Sequence, residues 1–270
     1  MISIVIPVFN QLHYTKQCLE SLRRTVSNDV RIVVVDNGSK DGSSEFLQSQ
    51  KDIHLIYNAE NRGCAAAWNQ GVKAIKADWI ILLNNDVLLA SGWLEGLAAF
   101  AKQHSVDVVS PAVREGELNY ELQPYACEFI KRMHRVARWN VANGICFMVR
   151  GDLFSKVGFF DENFRIGQFE DTDFFLRARK AGFKLATTGA SLIHHFGSIT
   201  QNSIRKEKTV RPYEKENREY FRRKWKLNSP KRLLMRVKNK TGHNMARWSE
   251  RLRYGHSLNE KWIGGKLHYY

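Results

Sequence analysis

The stretch DWIILLNNDV, Asp78 to Val87, decides the fold because it joins a wholly apolar run to an abrupt polar end. The apolar run, Trp79 to Leu83, shows no amphipathic alternation, which is typical of a strand covered on both faces. In open α/β sheets ligands bind beyond the carboxyl ends of the strands, and Asp86 lies at such an end. A carboxylate there can hold a hard divalent cation, and that cation can bridge a diphosphate. Taken alone, Asn84, Asn85 and Asp86 favour an Asx-type turn, so the rest of the chain has to decide.

Three more strands and three helices precede or flank this stretch. The apolar strand patterns are residues 2–6, 30–35 and 53–57, and the helical patterns between them are residues 15–24, 44–48 and 64–76. This alternation predicts βαβ units with right-handed crossovers and a parallel sheet. Polar residues follow each strand, so we expect Asn10, Asp36 and Asp86 to meet along one edge of the sheet.

The second part of the chain continues this pattern less regularly. We predict helices at 92–103 and 151–157, and strands at 106–110, 143–150, 184–188 and 191–195. Residues Arg114 to Arg138 mix glutamates, aromatics and a basic run, and predict a loop-rich insertion near the site. GQFEDTD, residues 167–173, opens an amphipathic helix, and its carboxylates lie in the first turn, where the helix dipole favours negative charge.

The positive charge of the chain is concentrated near its carboxyl end. Residues 201–270 hold 20 Lys and Arg against 6 Asp and Glu, whereas residues 1–200 hold 22 against 21. We therefore predict a nearly neutral catalytic domain at 1–200 and a basic, helical extension at 201–270. The extension is rich in large apolar residues, namely Tyr213, Tyr220, Phe221, Trp225, Leu233, Leu234, Met235, Val237, Trp248, Leu252, Tyr254 and Trp262.

Three partners suit such an extension. Basic helices with Trp and Leu can lie on an anionic membrane. Equally, they can pack on the catalytic domain or on a second subunit in a homo-oligomer. Nucleic acid is the weakest option, because no recognised nucleic-acid motif accompanies the charge.

Length, composition and the amino terminus limit the class of protein. The chain has 270 residues, 43% of them hydrophobic, which is enough for a substantial core. MISIVIPVFN lacks the features of a signal peptide, and no run approaches the roughly 20 apolar residues of a membrane span. The four cysteines, at 18, 64, 127 and 146, form no CxxC pair and predict reduced thiols. We therefore expect a cytoplasmic protein, with peripheral contact at the inner face of the membrane as the option for its tail.

Six segments in this order resemble the family 2 nucleotide-sugar glycosyltransferases: ISIVIPVFN, VVVDNGSKDGS, NRGCAAAWNQG, LLNNDV, GQFEDTDFFLRARKAG and HHFGSIT. The resemblance covers about residues 1–200, and the ordered set is highly specific although each segment alone is weak. It implies the GT-A fold, a Rossmann-like α/β domain whose mostly parallel central sheet is flanked by helices. It also implies inverting glycosyl transfer, and a rhamnosyltransferase-like subgroup is one option within the family.

The resemblance assigns the nucleotide-sugar donor to the strand ends. Pro7 and Phe9 resemble the wall around the nucleoside base, and Asp36 resembles the acceptor of hydrogen bonds from the base or ribose. The remaining donor-binding candidates are Asn10, Asn37, Arg62, Asn84 and Asn85. Structural alternatives stay open, since Asp36 can cap the following helix and Phe9 can belong to the core.

The resemblance also assigns a metal site. In the family's acidic motif the last carboxylate holds the cation, which points to Asp86 and to Mn²⁺ or Mg²⁺ as the cofactor. Asn84 and Asn85 replace the earlier position of a strict Asp-x-Asp motif, so we expect a single carboxylate on the metal. His195 resembles the family's late histidine, which can complete the coordination, and His194 is the alternative. Either histidine could instead be structural.

Glu170 and Asp171 occupy the place where the family keeps its catalytic base. Inversion requires a carboxylate that takes the proton of the attacking acceptor hydroxyl. The matching EDxD motif assigns this role to Asp171, with Glu170 and Asp173 orienting it or binding the acceptor. Close carboxylates repel one another and raise at least one pKa, which suits a base. The alternative is an acidic helix start that only stabilises the dipole.

The function implied is metal-dependent transfer of a sugar from a UDP-, dTDP- or GDP-linked donor to a glycan, lipid-linked or protein acceptor. Assembly of cell-surface polysaccharide, cell wall or glycoconjugate is the expected setting. A nucleotidyltransferase is disfavoured because PVFNQLHYTK, residues 7–16, contains no Gly-rich triphosphate loop. An α/β protein that binds nucleotide sugar, nucleic acid or membrane without transferase activity remains the alternative.

Overall fold

The computed structural model describes residues 1–27, 29–197, 199, 213–228, 242 and 244–268, and eleven strands within these ranges form one sheet. The strands are β1 (Ile2–Val8), β2 (Arg31–Asp36), β3 (His54–Tyr57), β4 (Trp79–Leu83), β5 (Val87–Leu89), β6 (Val108–Gly116), β7 (Ala137–Trp139), β8 (Cys146–Arg150), β9 (Leu185–His195), β10 (Asn259–Ile263) and β11 (Lys266–His268). The named helices are α1 (Leu12–Thr25), α2 (Ser43–Gln48), α3 (Cys64–Lys73), α4 (Trp93–His104), α5 (Leu122–Met133), α6 (Leu153–Val157), α7 (Glu170–Lys180) and α8 (Tyr213–Lys224). Residues 244–254 are also helical.

The sheet has the order β11-β10-β6-β8-β4-β1-β2-β3, and β9 lies beside β6. Strands β3, β2, β1 and β4 are all parallel, as the alternating pattern predicts. Strand β8 then runs antiparallel between β4 and β6, while β9 and β10 run parallel to β6. The result is a mixed sheet in which the carboxyl ends of β1, β2 and β4 meet at one edge.

Two apolar layers cover the sheet because side chains of a strand alternate between its faces. In β1, Ile4 and Ile6 belong to the layer that contains α1 and α4, and Val5 belongs to the layer that contains α3 and α7. Helix α3 comes very close to the sheet, since a Cβ at Gly71 would lie 2.2 Å from a methyl group of Val5. The small residues of this helix therefore serve close packing.

The loop-rich insertion predicted for residues 114–138 is wrong. Strand β6 extends to Gly116, helix α5 follows, and β7 completes the segment. Helix α5 buries Ala126, Phe129 and Met133, whose spacing of three and four residues is a helical signal that the charged neighbours obscured. The two short strands predicted at 184–188 and 191–195 are one strand, β9, whose register with β6 shifts between Pro111 and Ala112.

The described parts of the carboxyl-terminal segment pack on the rest of the chain. Strand β10 pairs in parallel with β6, so this segment adds strands as well as helices to the fold. A buried ion pair joins Arg138 of β7 to Glu250, with Nη2 and Oε2 2.6 Å apart and both side chains only 9% exposed. Of the apolar residues named for the extension, Leu233, Leu234, Met235 and Val237 lie outside the described residues, as do Ser198 and Thr200 of the HHFGSIT segment.

No helix within the described ranges is long and apolar enough to cross a membrane. The four cysteines are free thiols, and Cys18 and Cys146 are buried.

Candidate functional site

A cavity of about 480 Å³ opens at the edge where the parallel strands end. Pro7 and Phe9 at the end of β1 line it, together with Asn37 after β2. The connection between β4 and β5 contributes Asn84, Asn85 and Asp86, β6 contributes Glu115, β9 contributes His195, and α7 contributes Glu170 and Asp171. Residues from six separate parts of the chain therefore face one space.

Asp86 and His195 lie together on one wall because β5 and β9 are antiparallel neighbours that pair Val87 with His195. His195 Nε2 is 3.3 Å from Asp86 Oδ1, and each residue is only 4% exposed. Burial alone would raise the pKa of Asp86, but the His195 imidazole holds it below its ordinary value. Burial alone would lower the pKa of His195, whereas Asp86 and Glu115 raise it to about 9.

His194 points to the other face of β9, as the alternation of strand side chains requires. Its Nδ1 is 2.9 Å from the Tyr120 hydroxyl, it does not line the cavity, and burial lowers its pKa to about 4. The geometry therefore favours His195 over His194 as the cavity histidine.

The donor set of Asp86 and His195 fits Mn²⁺ or Mg²⁺ in chemical type. One carboxylate and one imidazole leave coordination positions for phosphate oxygens and water, which is how such cations are commonly held next to a diphosphate. A ready-made group of three or more ligands does not occur among the described residues.

Glu170 and Asp171 line the same cavity from the start of α7. Glu170 is 5% exposed and its Oε2 has no hydrogen-bond partner. Asp171 Oδ1 accepts a hydrogen bond of 2.6 Å from the Thr172 N–H. Burial, together with the neighbouring Asp171 charge, raises the pKa of Glu170, and burial raises the pKa of Asp171. Two carboxyl groups that share a buried site can hold a proton that ordinary carboxylates would release.

The loop before α7 also lines the cavity, and its backbone is strained. Ile166, Gln168 and Phe169 all have left-handed backbones, with φ of 62°, 78° and 75°. Such conformations cost about 1–3 kcal/mol each and persist only where their surroundings hold them. Asn217 of α8, 1% exposed, supplies that support, because its side-chain amide donates to the Gly167 carbonyl at 2.8 Å. The sequence gives no signal for this role of Asn217.

Four of the predicted site residues do not line the cavity. Asp36 is fully buried, and its carboxylate accepts hydrogen bonds from the Ser39 N–H and the Ser44 hydroxyl. The Asn10 side chain accepts one from the Lys40 N–H, while Arg62 is exposed. Asp173 is fully buried beneath α8, where it pairs with Arg177 at 2.8 Å and with Lys224 at 2.8 Å.

Two of the predicted donor-binding amides line the cavity while also bracing it. Asn37 Nδ2 donates to Asn61 Oδ1 at 2.9 Å, and its Oδ1 accepts from Asn58 at 3.0 Å. Asn85 Nδ2 donates to the buried Thr15 hydroxyl at 2.9 Å. Their side chains hold the strand-end loops in place around the cavity.

A sequence model described as "Glycosyl transferase family 2" matches residues 3–149. Among similar proteins, an uncharacterized glycosyltransferase of Rickettsia typhi is 25% identical over 212 residues, which is 72% of this chain and 64% of that protein. A pre-mycofactocin glycosyltransferase of Mycobacterium tuberculosis is 29% identical over 205 residues, 72% of this chain and 42% of its own length. The matches therefore span less than two thirds of these relatives.

Solved structures share the fold at low sequence identity. GalNAc-T7 with UDP, GalNAc and Mn²⁺ matches with a TM-score of 0.59 at 15% identity, covering 72% of this chain and 43% of the other. The mannosyltransferase PcManGT from Pyrobaculum calidifontis, in complex with GDP-Man and Mn²⁺, matches with a TM-score of 0.54 at 17% identity, covering 72% and 56%. The α/β sheet described above is thus the GT-A fold.

Proposed function

This chain belongs to glycosyl transferase family 2, and we propose that it transfers a sugar from a nucleoside-diphosphate sugar to a hydroxyl acceptor with inversion at the anomeric carbon. One observation carries the proposal. The Asp86–His195 pair and the Glu170–Asp171 pair line the same cavity at the strand ends. The first pair suits a diphosphate with its cation, and the second suits a hydroxyl that must lose a proton.

The donor lies across the strand ends in this proposal. Its base contacts Pro7 and Phe9 beside the Asn37 amide, and its diphosphate lies toward Asp86 and His195. Mn²⁺ or Mg²⁺, held by these last two side chains, would neutralise charge on the departing diphosphate. Solved neighbours contain UDP or GDP-Man, so UDP- and GDP-sugars come first among donors, followed by dTDP-sugars.

The acceptor lies against Glu170 and Asp171 in this proposal. As its hydroxyl oxygen bonds to the anomeric carbon, the bond from that carbon to the diphosphate oxygen breaks, and the hydroxyl proton passes to the Asp171 carboxylate. The raised pKa of Asp171 makes it a stronger base than an ordinary aspartate. Glu170, buried behind it, keeps the local charge low by holding a proton.

The test is a screen of the purified protein with UDP-, GDP- and dTDP-sugars, with and without Mn²⁺. We expect one nucleotide class to raise the thermal unfolding midpoint and to be hydrolysed slowly to the free nucleoside diphosphate. Asp86→Asn should abolish the stimulation of donor hydrolysis by Mn²⁺. If no donor stabilises the protein and none is turned over, the proposal of transferase activity is wrong. The alternative, an α/β binding protein without transferase activity, then takes its place.

The helix at residues 244–254 has an exposed apolar face that suits contact with a membrane and hence a membrane-bound acceptor. Met245, Trp248 and Leu252 lie on one face of it at helical spacing and are 71%, 69% and 66% exposed. Arg251 and Arg253 flank this face, and the whole 201–270 segment is strongly basic. An apolar face with a basic border is what an anionic bilayer surface binds. The acceptor is therefore a lipid-linked sugar, and the protein is peripheral at the membrane during polysaccharide or glycoconjugate assembly.

A further inference from the structure

Three side chains form a row across neighbouring parallel strands next to the cavity. Glu115 of β6 is in register with His195 of β9 on one side and with Lys261 of β10 on the other. Residues in register on paired strands point to the same face of a sheet. The row therefore runs from His195, which lines the cavity, outward to Lys261 of β10.

The two nitrogens of the His195 ring face different carboxylates. Nε2 is 3.3 Å from Asp86 Oδ1, whereas Nδ1 is 3.4 Å from Glu115 Oε2, an electrostatic contact without the alignment of a hydrogen bond. Asp86 and the Nε2 atom of His195 would hold the cation, because Nε2 is the ring nitrogen that faces Asp86. Glu115 is on the Nδ1 side and is therefore placed to orient the ring rather than to bind the same cation.

Glu115 is itself held in place from the far side. Lys261 Nζ lies 2.6 Å from Glu115 Oε1, and the two side chains are 33% and 20% exposed. Strand β10 is anchored beside it by Arg114, whose guanidinium packs 4.6 Å from the Trp262 ring. Lys261 thus approaches Glu115 from a strand that is fixed to β6 by both backbone pairing and side-chain packing.

We propose that Glu115 and Lys261 are positioning residues that hold the His195 imidazole with Nδ1 toward Glu115 and Nε2 toward Asp86. This proposal rests on the proposed function, since it requires Asp86 and His195 to bind the metal. Carboxylate partners of ligating histidines fix ring orientation, and their loss commonly weakens metal affinity about 10–100-fold. Lys261 lies beyond both the matched residues 3–149 and the predicted 1–200 domain. In this proposal, strand β10 of the carboxyl-terminal segment therefore supports the metal site.

The experiment measures Mn²⁺ affinity by titration, following the electron paramagnetic resonance signal of unbound Mn²⁺ with and without the nucleoside diphosphate that stabilises the protein. We expect Glu115→Ala to weaken affinity about 10–100-fold. Glu115→Gln, which keeps the side-chain length and an oxygen beside Nδ1, should stay within a few-fold of wild type, and Lys261→Met should fall between the two. In turnover assays the Mn²⁺ concentration for half activation should rise, while kcat at saturating Mn²⁺ recovers.

Matched controls are Glu117→Ala and Lys266→Met, which remove an exposed charge of the same sign from the neighbourhood. His195→Ala separates two failures. If it weakens Mn²⁺ binding and Glu115→Ala does not, the positioning role is wrong and the metal site stands. If Glu115→Gln loses as much affinity as Glu115→Ala, orientation through the Nδ1 contact is also wrong. If His195→Ala has no effect, both the metal assignment and the positioning role are overturned.

Discussion

Replacing Gly144 by alanine tests the proposed base without removing any functional group. A Cβ at this position would lie 2.1 Å from Asp171 Oδ2 and 2.8 Å from Asp171 Cβ, whereas real Cβ contacts are essentially never under 3.0 Å. The carboxylate must therefore move by about 1 Å, and a displacement of that size can cost about 100-fold in rate. This corresponds to about 2.7 kcal/mol in the activation barrier.

The assay is hydrolysis of the donor sugar found by the screen, with KM and kcat determined separately. We expect Gly144→Ala to lower kcat about 100-fold and to leave KM for the donor nearly unchanged, because the diphosphate wall is untouched. Asp171→Asn should lower kcat by about 10²–10⁴-fold, and the double variant should be little worse than Asp171→Asn alone. Gly242→Ala, where a Cβ would meet nothing within 4 Å, is the control. A folded Gly144→Ala protein with wild-type kcat would refute the assignment of Asp171.

Three further predictions concern stability and membrane contact. Burial raises the pKa of Glu170 above its ordinary 4.5, so the folded protein keeps a proton that the unfolded chain loses. The free energy of unfolding should then fall as pH rises above about 4.5. Urea denaturation at a series of pH values above 4.5 should show a smaller fall for Glu170→Gln than for the wild type. Glu250→Ala leaves Arg138 buried without its partner and should cost about 3–5 kcal/mol in urea denaturation. Glu128→Ala, at an exposed pair, should cost under about 1 kcal/mol, and equal losses would contradict the buried pair's importance. Trp248→Ser should reduce co-sedimentation with phosphatidylglycerol vesicles about tenfold or more; unchanged co-sedimentation, or equal binding to pure phosphatidylcholine vesicles, would contradict the membrane proposal.

The amino-terminal half of the sheet is predictable because its signals are local. Each parallel strand is a short apolar run that ends in a polar turn, so β1, β2 and β4 lie within a residue or two of their predicted bounds. The same logic brings Asp86 to the cavity edge. Strand β8 also lies where a strand was predicted, but its antiparallel direction depends on distant chain segments that no local pattern encodes.

The sequence predicts a loop where β6 continues to Gly116, and the reason is physical. Arg114 and Glu115 look like loop residues because they are charged, yet both lie in a strand whose partners supply compensating groups. Lys261 pairs with Glu115, and Trp262 packs on Arg114, from a strand far along the chain. A charged pair in a strand can be recognised only when the partner strand is known.

Helical geometry distinguishes the directions in which the acidic residues of α7 point. Successive residues turn by about 100° around a helix, so Asp171 and Asp173 lie roughly 200° apart and cannot face the same space. Asp171 accordingly lines the cavity, while Asp173 is buried against Lys224 and Trp225. Their shared motif made them look equivalent, but only the direction of each side chain decides which can meet an acceptor.

The pairing of β10 with β6 also has a consequence for biosynthesis. The edge of β6 near residues 113–116 emerges from the ribosome long before residues 259–262, which cover it. At about 5–20 residues per second, that edge waits on the order of ten seconds for its neighbour. During this interval it presents unpaired backbone groups to other nascent chains. A chaperone that shields this edge should therefore raise the yield of folded protein more than one acting after release.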